Sequence, residues 1–177
     1  LLNVAIERFP AQIKQREEMA AYMDEALSEV RGVRVLPRDE RHTTRSFYRY
    51  IFAVDPEEFG AEHDVICAAL HMEGIPSWEG YEAMQNYELF QPHLSKLPVP
   101  SAFPEYFKFD EMHLPEAERA CEHEAVWFDE NIFRTGTDGV DDAVAALHKI
   151  QARLSTDAGA VVEIKRLLDE HNQSTQV

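Results

Sequence analysis

The sequence predicts an α+β fold: a small, mainly antiparallel sheet packed with helices on one side. Three observations point to it. Residues 46–54 form a run dense in aromatic and β-branched side chains, the composition of a strand. Val140, Val144, Leu147, Ile150 and Leu154 make one apolar stripe at helical spacing. The few strands are joined by connections of varied length, which suits a small antiparallel sheet covered by helices.

Taken in chain order, the first long segment is a helix. Met19, Met23, Leu27 and Val30 recur at steps of four, four and three, with Arg16, Glu17, Glu18 and Glu29 on other faces. Pro10 is expected to kink or restart it, because proline lacks the amide that a helix interior needs. Gly32 ends it, and a short extended piece, Val33 to Leu36, runs into Pro37 and a charged loop. The strand Ser46–Val54 follows, closed by Asp55-Pro56. From about Pro56 to Met72 the chain reads as one helix, ended by Gly74 and Pro76. Residues 75–81 read as a short strand or extended turn.

From Asn86 to Pro104, four prolines break any long element, and Phe90, Phe103, Tyr106 and Phe107 are expected to staple an irregular segment. Pro115 opens another helix from a favourable first-turn position. Ala125–Phe128 is a further short strand, and Asp138 is expected to cap the helix that carries the Val140–Leu154 stripe. A last helix uses Val161, Ile164 and Leu168. There is no internal repeat.

The 177 residues suffice for one domain with a real core. A formal charge of −16 argues against nucleic acid and anionic membrane surfaces as partners, and reads as a solvated acidic exterior. No apolar run approaches the roughly 18 residues that cross a bilayer, and no signal peptide opens the chain. Cys67 and Cys121 read as buried free thiols of a reducing cytoplasm, with a single disulfide left open by the count alone.

The motif search excludes more than it finds. His113, His123, Glu116 and Glu124 lack the spacing of a metal site. No G-x-S-x-G elbow, phosphate-binding loop or dinucleotide fingerprint occurs. The acidic pairs Glu57-Glu58 and Asp141-Asp142 are expected at helix N-termini, where the helix dipole explains them without catalysis. The aromatic strand is more informative. Its alternation places Tyr48, Tyr50 and Phe52 on one face and Phe47, Arg49 and Ile51 on the other. One of these faces packs on helices, so the other faces a neighbour or a cleft.

Several stretches together resemble one family. LLNVAIERFPAQIKQR at the start is similar to the linker helix between the large and small domains of DegT/StrS aminotransferases. SFYRYIFAVD, residues 46–55, resembles the first strand of that small domain, and LHMEGIPSWEGYEAMQNYELF, residues 70–90, a later segment built on Gly-Ile and a tyrosine. LPEAERACEHEAVWFDENIF, residues 114–133, and the Asp138–Ile150 helix resemble its closing blocks in order and spacing.

The resemblance implies the C-terminal small domain of a fold-type I, pyridoxal-phosphate-dependent aminotransferase acting on a keto-sugar or cyclitol. Residues 1–31 would be the linker helix and residues 32–177 the small domain. The large domain that binds the cofactor on a lysine would lie outside this chain, and none of Lys14, Lys96, Lys108, Lys149 and Lys165 matches that lysine's motif. Hence no catalytic, cofactor-binding or metal-binding residue is expected here, and the chain alone should be inactive. Partners implied are the acceptor, an amino-acid donor and a second subunit of a cytoplasmic homodimer. Where many members carry a strand histidine this chain has Tyr48, and in place of the usual His-Tyr pair it has Gly80-Tyr81, both as in the cyclitol branch. The substrate-side contacts expected are Tyr48 and Tyr81, then Arg49. The alternative is a stand-alone, non-catalytic α+β interaction domain derived from that fold.

Overall fold

The structure is a computed structural model and describes residues 2–88, 91–108 and 111–175. Helix α1 (Leu2–Ser28) leads into β1 (Val33–Val35) and β2 (Arg49–Val54). Helices α2 (Pro56–Phe59) and α3 (His63–Met72) precede β3 (Ser77–Trp78). An extended arm of short turns then carries α4 (Pro98–Ala102) and α5 (Pro115–Arg119). Strand β4 (Ala125–Asp129) and helices α6 (Thr137–Thr156) and α7 (Ala160–Thr175) complete the domain. The sheet order is β1-β2-β4-β3, and every pairing is antiparallel. The predicted α+β class is the observed one.

The sheet buries one face under helices. Tyr50, Phe52 and Val54 of β2 and Val126 and Phe128 of β4 join Met23 and Leu27 of α1, Ile66 and Leu70 of α3, and Val140, Leu147 and Ile150 of α6 in one core. Aromatic rings form its centre: Phe52 lies 5.1 Å from Phe128, and Tyr50 meets Phe133 edge-on at 5.7 Å. The phenol of Tyr50 donates to Asp24 of α1 at 2.7 Å, which pins the helix across the sheet. Burial, helped by that carboxylate, pushes the Tyr50 phenol well above its usual range.

Several element boundaries differ from the sequence reading, each for a local reason. Helix α1 passes through Pro10 without restarting. Side chains 6–12 are exposed there, so water can serve the Ile6 carbonyl that proline leaves without a partner. The single helix expected over 56–72 is two, because Gly60 takes φ +104° and ends the first. Helix α6 starts at Thr137 behind Gly136, so Asp138 lies in its first turn instead of capping it, and Asp141 instead accepts the Tyr22 phenol at 2.8 Å. Glu57 and Glu58 do sit at a helix start, where the Asp55 carboxylate accepts both of their amides. Of the aromatic residues expected to staple the arm, Phe103 and Tyr106 are exposed, Phe107 is half-buried, and Phe90 lies outside the described residues.

Both cysteines are free thiols, Cys67 buried and Cys121 half-buried. Burial first, and then the charge of Glu79, pushes the Cys67 thiol far above the range in which thiolate is present at neutral pH. A short iodoacetamide pulse near pH 8 should therefore label Cys121 in the folded chain and leave Cys67 unmodified until denaturant is added. Equal labelling of both sites by mass spectrometry would contradict the packing around α3.

Candidate functional site

The sheet face opposite the core is built by register. Arg49 pairs with Asp129, Ile51 with Trp127, and Trp78 of β3 also with Trp127. Because strand side chains alternate, these residues emerge on the face away from Tyr50, Phe52 and Phe128. The two tryptophans of the chain thus stand side by side on this one face.

Tyr48 arrives there by a backbone device. The expected strand from Ser46 begins only at Arg49, and Phe47 has φ +39°, left-handed and unusual for a bulky side chain. That reversal breaks the two-residue alternation. Phe47 turns into the core, 6.1 Å from the ring of Phe133, and Tyr48 joins Arg49 instead of sharing the face of Tyr50 and Phe52. Helix α1 holds the preceding loop: Glu17 accepts the Arg45 amide at 2.8 Å, and Arg16 donates to the Ser46 carbonyl at 3.3 Å. Arg16 also lies 2.8 Å from Glu130, just beyond β4, so the loop and the strand end are tied to one side chain.

The guanidinium of Arg49 lies 4.5 Å from the Tyr48 ring centre and 4.6 Å from that of Trp78. Its Nη1 donates to Asp129 at 2.6 Å, and both side chains are largely shielded, at 20% exposure each. Beside this stack, Tyr81 meets Trp127 edge-on, with ring centres 5.0 Å apart. Gly80 makes that contact possible. It takes φ +88°, and a Cβ there would fall 2.7 Å from the indole of Trp127.

The structure therefore gathers all three expected site residues, Tyr48, Arg49 and Tyr81, around one exposed sheet face. Tyr48 and Tyr81 remain 71% and 63% exposed there. Sequence reasoning missed Trp78, Trp127 and Asp129. The available signal was that both tryptophans fall in short extended stretches. The 80-residue separation of Arg49 from Asp129 hid their pairing.

A cavity of about 260 Å³ opens next to Arg49 and Ile51, between β1 and the 45–47 loop, lined also by Leu36, Arg45 and Phe47. Larger hollows of about 390 and 550 Å³ lie among α3, α6 and α7. The first is lined by Glu73, Lys149, Arg153 and Glu163 as well as by aliphatic side chains, and neither holds any of the three expected site residues.

The lysines do not fit a cofactor cradle. Lys14, Lys108, Lys149 and Lys165 are exposed and paired with Glu18, Glu111, Glu73 and Asp64, and Lys96 is exposed on the arm. The histidines and acids weighed as metal ligands have other partners or point outward. His123 lies 3.2 Å from Glu62, Glu116 and Glu124 bind Arg119, and His113 is exposed. No helix among the described residues is long and apolar enough to cross a membrane.

Comparison with known proteins places the chain in a family. The sequence profile of the DegT/DnrJ/EryC1/StrS aminotransferase family matches residues 1–125. A Micromonospora echinospora protein named as an L-glutamine:3-amino-2,3-dideoxy-scyllo-inosose aminotransferase is 32% identical over 154 residues, covering 84% of this chain and 37% of that protein. A like-named protein of Streptoalloteichus tenebrarius is 27% identical over 143 residues, covering 77% of this chain and 34% of its own length. Among solved structures, 3-amino-5-hydroxybenzoic acid synthase superposes with a TM-score of 0.64 at 18% identity, covering 83% of this chain and 36% of the synthase. The aminotransferase TlmJ of Streptoalloteichus hindustanus gives 0.58 at 24% identity, covering 87% of this chain and 36% of TlmJ. These two likenesses show the fold. The chain spans about a third of the length of the relatives it matches. The chain belongs to the DegT/DnrJ/EryC1/StrS aminotransferase family.

Proposed function

We propose that this chain is the acceptor side of a pyridoxal-phosphate-dependent aminotransferase that aminates a keto-cyclitol or keto-sugar. The observation that carries the reading is the sheet face on which Tyr48 and Tyr81 stand exposed over Arg49, Trp78 and Trp127. Phenol hydroxyls on aromatic rings suit a polyhydroxylated ring: the hydroxyls exchange hydrogen bonds and the two tyrosine rings cover its C–H faces. The names of the relatives, with L-glutamine and an amino-dideoxy-scyllo-inosose, support an amino-acid donor and a cyclitol acceptor. Pyridoxal phosphate would supply the amino-group carrier. The lysines of this chain do not suit it, so polypeptide beyond these residues would hold it. The family reading further favours a cytoplasmic enzyme with its active site completed in a homodimer.

Within the full-length enzyme, Tyr48→Phe should lower acceptor turnover about tenfold, the worth of one hydrogen bond strengthened in the transition state. Folding stability should fall by no more than about 1 kcal/mol, since the side chain is mostly solvated. Steady-state kinetics beside thermal unfolding separates the two, and unchanged kinetics would remove Tyr48 from the site. The 177-residue chain, mixed with pyridoxal phosphate and borohydride, should retain no stoichiometric adduct on one lysine. A single modified lysine in the peptide map would place the cofactor here instead.

A further inference from the structure

Tyr48 has little of its own to hold it, being 71% exposed at the first residue after a left-handed Phe47. Its ring rests on the Arg49 guanidinium, and the guanidinium rests on Trp78. We propose that Trp78 and Asp129 are positioning residues that act through Arg49 to set the orientation of Tyr48 towards the acceptor. The inference rests on the reading of Tyr48 as an acceptor contact.

An arginine side chain has many rotamers, and ordering it is costly unless several contacts act together. Here three do. Tyr48 and Trp78 each lie against the guanidinium, and Asp129 takes its Nη1 proton at 2.6 Å. Asp129 is itself fixed, because its other oxygen accepts the Asn131 amide at 2.9 Å and its backbone pairs with Arg49 in the sheet. Trp78 is fixed by its register with Trp127 and by His71, whose ring meets it edge-on at 6.2 Å. A planar guanidinium can be stacked and hydrogen-bonded in its plane at once, which an ammonium cannot do. With its charge matched by Asp129, Arg49 serves as a strut between β3 and Tyr48 in preference to a clamp for an anionic substrate.

The test uses the full-length enzyme carrying Trp78→Leu, Trp78→Phe or Asp129→Asn. Asn keeps an oxygen for the Asn131 amide and removes the carboxylate that Arg49 needs. Trp78→Leu and Asp129→Asn should each raise KM for a cyclic keto acceptor about tenfold, while the donor half-reaction stays within about twofold of wild type. Trp78→Phe, which keeps an aromatic face, should restore most of the loss. In enzyme labelled with 3-fluorotyrosine, the Tyr48 fluorine resonance, assigned by its loss in Tyr48→Phe, should move in the first two variants and return in the third. If Asp129→Asn folds normally and leaves both the resonance and the acceptor KM unchanged, the inference is wrong. The resonance tests the mechanical coupling, and the kinetics of Tyr48→Phe test the acceptor reading, so either can fail alone.

Discussion

Gly80→Ala in the full-length enzyme is expected to lower acceptor turnover by about 100-fold, more than removal of either tyrosine hydroxyl. The added methyl would lie 2.7 Å from Trp127 Cε2 and Nε1, and the φ of +88° is strained for any residue with a Cβ. Trp127 is held by its pairing with both Ile51 and Trp78, so the turn is the part that has to move. Tyr81 is the next residue and leaves its edge-on contact with Trp127. A displacement of about 1 Å at a contact to the reacting molecule costs on the order of 100-fold. The strain should also lower stability by about 1–3 kcal/mol, which thermal unfolding would record. Acceptor kinetics within twofold of wild type, measured below the unfolding transition of both proteins, would mean that Tyr81 is not part of the site.

The 177-residue chain is expected to self-associate through residues 1–10 or to hold them frayed, and deleting them is expected to abolish any self-association. Leu2, Val4, Ile6 and Phe9 of α1 are 72%, 49%, 60% and 49% exposed, and the first buried residue of the helix is Ile13. At about 25 cal/mol per Å² of apolar surface, a few hundred Å² here gives several kcal/mol towards burial. The −16 charge opposes association, but at physiological salt its reach is about 8 Å. Sedimentation velocity on both chains decides the matter. Monomers in both cases, with residues 2–9 protected from hydrogen exchange, would show that this face needs no partner.

Much of the fold was legible because local chemistry and global packing agreed. The stripe from Val140 to Leu154 can only face a core, and the run from Tyr50 to Val54 can only be a half-buried strand. Boundaries failed where one residue overruled a pattern: Gly60 divided a helix that the apolar periodicity joined, and Phe47 reversed the backbone within an apparent strand. The arm between β3 and α5 was recognised as irregular from its prolines, yet Phe103 and Tyr106 there are exposed, which their aromatic character did not signal.

The sequence by itself determined the α+β class, the family, and the choice of Tyr48, Arg49 and Tyr81 as residues worth testing. Tertiary structure alone decided how those residues stand to one another. Arg49 meets Asp129 across 80 positions and Trp78 across a neighbouring strand pair, and Tyr81 leans on Trp127 because a glycine lets the backbone approach. Strand register is set by which side chains the helices bury, a property of the whole core. No local pattern could therefore say that the two tryptophans and one aspartate would gather under the two tyrosines.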